Sequence, residues 1–166
     1  MRYLKAGAAF LVAFLMQTSV LNIVSIGGST PNLLLCLVVM VSFLYEKELY
    51  GLFYGALFGI IYDVCYSYVV GPTAIALVLV AIAVILLRYY ANVENSVSML
   101  VVSLIAFIIY YILNWGLHLV AGNPMGLVYV LISSIGTIIY SLIVNFVIYK
   151  ALIKNVIKHH KDRYFI

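Results

Sequence analysis

Charged residues are scarce in this sequence. Only 8% of the 166 residues are Asp, Glu, Lys or Arg, whereas soluble domains carry about 25%. Apolar residues make up 67%, and the mean hydropathy is +1.21. A soluble fold of this size could not cover so much apolar surface, but a lipid bilayer removes the need to cover it. The composition therefore predicts a single integral membrane domain over 1–166 and excludes a separately folded soluble module.

Residues that build catalytic and metal sites are also few. The two cysteines and three histidines show no metal-ligand spacing, so we expect neither a metal nor a cofactor. Cys36 and Cys65 fall at different depths of the predicted helices, so we expect no disulfide between them. Nucleophile, metalloprotease and phosphate-loop motifs are missing, and no two carboxylates pair within an apolar run. We therefore expect a protein that is not an enzyme and has no catalytic residues.

Short polar breaks, which hold all three prolines, divide the chain into six apolar runs. A membrane-spanning helix needs roughly 20 apolar residues, and short connections place consecutive helices antiparallel to each other. The sequence predicts an all-α membrane protein with six transmembrane helices. The predicted helices cover 4–24, 32–45, 49–69, 73–87, 97–121 and 127–149, and a basic tail follows at 150–166.

The basic residues all fall on one side of this predicted topology. With a cytoplasmic N-terminus, all nine Lys and Arg lie in cytoplasmic segments and none in an outer connection. The positive-inside rule then places both termini in the cytoplasm. We interpret the net charge of +4 as a signal that sets membrane topology, rather than as a surface that binds nucleic acid. Contact of the tail with anionic lipid or with a cytoplasmic partner stays open.

Three glycines repeat along the third predicted helix. Gly51, Gly55 and Gly59 are spaced by four residues and share one helix face. Small residues at this spacing let another helix approach closely within a membrane. The row predicts either close packing inside the monomer or a face that meets a partner helix.

Asp63, one step further along the same row, is the only acidic residue within a predicted span. An ionisable group at membrane depth is costly, and it indicates either a buried structural network or a functional site. Other polar side chains fall at a similar, outer depth: Gln17, Asn22, Asn32, Asn114 and His118. We expect a polar cluster in which Asn114 or His118 is the partner of Asp63. Asn145 is the main polar residue of the inner half.

The stretch from 30 to 83 resembles the rod-shape-determining protein MreD family of bacteria. The resemblance is carried by Pro-Asn-Leu-Leu-Leu at 31–35, the glycine row, Asp63 and Gly71. It implies a non-catalytic scaffold that binds the single-pass protein MreC in the cytoplasmic membrane. MreB filaments, RodA and its penicillin-binding partner belong to the same elongation complex. No catalytic residue carries over, and whether the protein forms a homodimer stays open.

A second interpretation comes from the similar six-helix S components of energy-coupling-factor vitamin transporters. Those proteins dock a coupling subunit through an Ala-x-x-x-Ala motif on the first helix, and Ala9 and Ala13 have that spacing. The cluster at Asp63 would then be a substrate pocket, although the outer connections are short for a lidded one. A third interpretation is a small accessory subunit of another membrane complex.

Overall fold

The computed structural model describes residues 2–19, 30–45, 49–67, 69–122 and 126–161, and within these ranges the secondary structure is helical without strands. The helices are α1 (Arg2–Ser19), α2 (Leu33–Leu44), α3 (Tyr50–Tyr66), α4 (Pro72–Arg88), α5 (Ser96–Val120) and α6 (Leu127–Lys161). The predicted all-α class is confirmed. The predicted end of the first helix, 20–24, and the predicted cluster member Asn22 lie outside the described residues.

Local hydrogen bonding and backbone geometry explain where α2, α4 and α5 begin. The side chain of Asn32 accepts a hydrogen bond from the Leu35 N–H at 3.1 Å, and Asn95 accepts from the Val97 N–H at 2.9 Å. These are N-caps, which satisfy amides that have no partner within the helix. Gly71, with a φ of 122°, turns the chain into α4, and Pro72 occupies the first helical position. The predicted ends of α2, α4 and α5 are therefore each within one residue of the structure.

Helix α6 is longer than predicted. It runs for 35 residues, so the segment from 150 to 161, interpreted as a tail from its charge, continues the helix. Lysine is a good helix former, and positive charge near a helix C-terminus is favourable. The basic residues mark the end of the apolar run, but they do not break the helix, which continues to Lys161.

Within the ranges that the structure describes, two helices are long and apolar enough to cross a bilayer: Ser96–Val120 and, within α6, Ile132–Ile153. The other apolar helices are shorter: Ala6–Ser19, Leu33–Leu44, Tyr50–Tyr66 and Pro72–Arg88. At 1.5 Å per residue, α2 is only about 18 Å long, against a hydrocarbon core of about 30 Å.

Helix α2 is the centre of the molecule. Ten of its twelve residues are buried, and it packs against each of the other described helices. From α2 to α6, each helix packs against the next one along the chain, and α4, α5 and α6 each also contact α2. Side-chain contacts show the antiparallel register: Gly55 faces Val38 across α2 and α3, and Asn145 bonds Ser103 across α5 and α6. The N-terminus of α2 and the C-terminus of α3 therefore share one end of the bundle with the N-terminus of α4 and the C-terminus of α5.

Candidate functional site

The glycine row of α3 packs inside the chain. A Cβ on Gly51 would fall on the hydroxyl oxygen of Ser42 in α2, and one on Gly55 would lie 3.2 Å from the Val38 side chain. At Gly59 it would lie 2.6 Å from the Cα of Ala74 in α4. The row therefore brings α3 against α2 at one end and against α4 at the other. Of the two predicted roles, the geometry selects packing within the monomer.

Asp63 is fully buried and accepts hydrogen bonds at the start of α4. Its Oδ2 accepts from the Gly71 N–H at 2.9 Å, the Thr73 N–H at 3.0 Å and the Ala74 N–H at 3.4 Å. These amides belong to the set that a helix N-terminus leaves without partners. Asp63 is hydrogen-bonded inside the protein, as expected, but the predicted partners Asn114 and His118 were wrong. Backbone amides brought close by the α3–α4 turn take their place.

Gln17 and Asn32 act at a different helix terminus. Gln17 Oε1 accepts from the Leu34 N–H at 3.0 Å, so α1 helps to cap α2. The Asn32 N–H donates to the Ser141 hydroxyl of α6 at 3.0 Å, while its side chain caps α2. The single polar cluster predicted from the sequence is thus divided. One group serves the start of α4 and another the start of α2.

A cavity of about 680 Å³ opens at this same end of the bundle. Its lining includes three of the predicted polar residues, Asn32, Asn114 and His118. The other lining residues are Tyr62, Tyr66, Ser67, Val69, Thr73, Tyr110, Tyr111, Ala121 and Gly122. The four tyrosines were not predicted as site residues, because the chain has 15 tyrosines and none of them stands out in the sequence. The spacing of Tyr110, Asn114 and His118, each four residues apart, was the available signal for a common face.

A second polar contact lies in the inner half of the bundle. The Asn145 side-chain amide donates to the Ser103 hydroxyl at 2.8 Å, and that hydroxyl lies 3.5 Å from the Met99 sulfur. All three residues are fully buried. This contact joins α5 to α6 and lies apart from the cavity, so it is a packing feature.

The polar groups that line the cavity are hydroxyls of tyrosine, serine and threonine, two side-chain amides and one imidazole. Within the described ranges, no three His, Cys, Asp or Glu side chains are grouped so that they could hold a metal ion. Cys36 is buried, Cys65 is exposed, and both are free thiols. No family model matches the chain, nor does any curated protein or solved structure.

Proposed function

We propose that this protein is a non-catalytic scaffold subunit of the bacterial cell-elongation machinery, similar to MreD. In this proposal it crosses the cytoplasmic membrane six times with both termini in the cytoplasm. It binds MreC directly, and so helps to link MreB filaments to peptidoglycan synthesis by RodA and a penicillin-binding protein.

One observation carries the proposal: the residues that resemble the MreD pattern pack as one structural unit. Asn32 caps α2, the glycine row fits α3 against α2 and α4, and Asp63 bonds Gly71 at the start of α4. Each element of the pattern therefore has a role in holding three helices together. A pattern used for shape, rather than for chemistry, is what a scaffold requires.

The outward surface supports a membrane location for the five helices that surround α2. Large apolar side chains are exposed along the outer faces of the helices, as with Leu57 and Val64 on α3 and Val101 on α5. Soluble proteins rarely expose such continuous apolar surface. The short length of α2 is compatible with this arrangement because other helices surround it. Those helices, rather than lipid, cover its ends where α2 is shorter than the hydrocarbon core.

The test is affinity purification from the native membrane. The chain carries a C-terminal tag, is extracted in mild detergent, and its companions are identified by mass spectrometry against an untagged strain. Recovery of a single-pass coiled-coil protein with elongation enzymes supports the scaffold. Recovery of a transmembrane coupling subunit with paired ATPases overturns it.

The structure gives one observation in favour of the alternative, an S component of a vitamin transporter. The cavity lies at the end expected to face outward, where such a protein would take its substrate. The proposed docking motif is less favourable to it: Ala9 is exposed but Ala13 is 7% exposed and packed in the core. The two alanines therefore do not form one free face for a coupling subunit.

A further inference from the structure

Aromatic rings form much of the cavity wall. Tyr62 and Tyr66 lie one turn apart on α3 with their ring centroids 5.4 Å from each other. Tyr110 and Tyr111 on α5 form an edge-to-face pair with centroids 5.3 Å apart. All four line the cavity, so rings from two helices meet at one space. The electron-rich face of an aromatic ring attracts a cation within about 6 Å of its centroid.

Polar side chains from other elements border part of this wall. The Tyr110 hydroxyl lies beside the side chain of Asn32, and the Tyr111 hydroxyl lies beside that of Thr137 in α6. Asn32 is itself tied to α2 and α6. The rings on α5 are therefore positioned before any ligand arrives, which lowers the ordering cost of binding.

No charged side chain of the described ranges lines the cavity. Among the described residues, its lining contains no Lys, Arg, Asp or Glu, and the nearest acidic group is Asp63. Asp63 follows the lining residue Tyr62 in sequence and accepts the N–H of another, Thr73. Its second oxygen, Oδ1, is buried without a hydrogen-bond partner in the described part of the chain. A buried carboxylate one residue behind the wall favours a positive ligand and opposes an anion.

We propose that this cavity binds a small organic cation that bears a substituted ammonium group. The tyrosine rings supply the contact surface, Asp63 supplies the field, and Asn114 and His118 offer polar contacts on the α5 side. The volume lies within the range of about 300–1,000 Å³ typical of small-molecule sites. The ammonium group belongs either to a free solute or to the headgroup of a lipid. This site goes beyond the scaffold function and does not depend on it.

Trp115, the only tryptophan in the chain, gives the readout because it directly follows the lining residue Asn114. The full-length protein in detergent is titrated with choline and, in parallel, with its neutral isostere 3,3-dimethyl-1-butanol. We expect a saturable fluorescence change with choline at a concentration about tenfold below that needed for the neutral compound. A parallel titration adds phosphatidylcholine or phosphatidylglycerol to the micelles. Saturation by free choline identifies a solute site, and saturation by phosphatidylcholine alone identifies a headgroup site.

Matched variants separate binding from folding. Tyr66 is 58% exposed, so its replacement should be tolerated. Tyr66→Phe keeps the ring and should keep the affinity for the ligand that saturates the wild type, whereas Tyr66→Leu should weaken it by about tenfold. Tyr90→Leu, at a side chain that is 94% exposed and outside the cavity, is the control. Circular dichroism verifies that each variant is folded.

Three outcomes overturn the proposal. The first is equal affinity for choline and its neutral isostere. The second is preference for phosphatidylglycerol over phosphatidylcholine. The third is a folded wild-type protein that responds to neither choline nor phosphatidylcholine. None of these outcomes bears on which proteins co-purify with the chain, so the site and the scaffold are tested separately.

Discussion

At the scale of single residues, Asp63 accounts for the way α3 is joined to α4. A carboxylate at membrane depth costs several kcal/mol unless protein groups replace its water. Three backbone amides do so here, and the positive end of the α4 dipole adds a favourable interaction. The acidic residue completes a helix terminus that would otherwise have unpaired donors.

Replacing Asp63 should show this capping role. Asp63→Ala removes the acceptor of three buried amides and should lower the free energy of unfolding by about 1–3 kcal/mol. Asp63→Asn keeps a carbonyl oxygen as acceptor and should cost less than half as much. Thermal unfolding in detergent, followed by circular dichroism, measures both variants. Cys65→Ala, at an exposed neighbour, is the control. Equal losses for Asn and Ala would contradict the capping role.

Two glycines in the same protein allow a direct test of close packing. Gly59→Ala places a methyl group against the Ala74 backbone, which cannot rotate away, and should destabilise the protein by about 1–3 kcal/mol. At Gly116, four residues before the last residue of α5, a Cβ would meet nothing within 4 Å. Gly116→Ala should be neutral or stabilising by up to about 1 kcal/mol, since alanine favours the helix. If both variants melt together, the contact at Gly59 is not close.

The sequence predicted that Asp63 is hydrogen-bonded inside the protein, but it did not predict which groups donate to its carboxylate. Asp63 was identifiable because an acid in an apolar run is rare. Its partners were not, because every residue has a backbone N–H and none is distinctive in sequence. Gly-Pro-Thr at 71–73 was the available clue, since it marks a helix start within reach of Asp63.

At the scale of helices, residues that begin or end a helix decide which helix ends a sequence can predict. Asparagine, glycine and proline mark the starts of α2, α4 and α5, so those ends could be located within one residue. No glycine or proline follows Tyr149, and the lysines beyond it are compatible with a helix. The end of α6 therefore could not be placed from apolar character alone. The cavity could not be predicted for a related reason. Its wall combines side chains from three helices, and local sequence does not show how each helix is rotated about its axis relative to the others.

Tyr149 ties the last helix to the α4–α5 connection. It is 1% exposed, and its hydroxyl donates to the Val93 carbonyl at 2.8 Å. Tyr149→Phe should keep the packing and lose this bond, lowering the free energy of unfolding by about 0.5–1.5 kcal/mol. Tyr90→Phe is the matched control, because Tyr90 lies on the same connection and is 94% exposed. Denaturant unfolding in detergent compares the two, and a larger loss at Tyr90 would refute the assignment.

At the scale of the whole molecule, charge and cavity occupy opposite ends. Arg88 closes α4, and Lys150 lies in the distal part of α6, at the end away from the cavity. If the proposed topology holds, the cavity faces outward and the basic end faces the cytoplasm. The same asymmetry that orients the chain thus removes positive charge from the neighbourhood of the binding site.

Cysteine labelling in intact cells tests this orientation. In a background of Cys36→Ala and Cys65→Ala, Val70→Cys should react with a membrane-impermeant maleimide from outside. Glu94→Cys should react only after the membrane is permeabilised. Both positions are exposed and lie in connections at opposite ends of α4. The reverse pattern would invert the topology, and labelling of both from one side would exclude a membrane-spanning α4.

The hydrogen bond between Asn32 and Ser141 cannot form until α6 has been synthesised. Its two partners are separated by 109 positions along the chain. At a synthesis rate of about 5–20 residues per second, α2 precedes its α6 partner by roughly 5–20 seconds. During that interval α2, the shortest helix and the centre of the finished bundle, packs only against α1, α3, α4 and α5 as they emerge, and the face that α6 covers stays open. In the proposed membrane topology, that face should therefore contact lipid or the translocon until the last helix emerges.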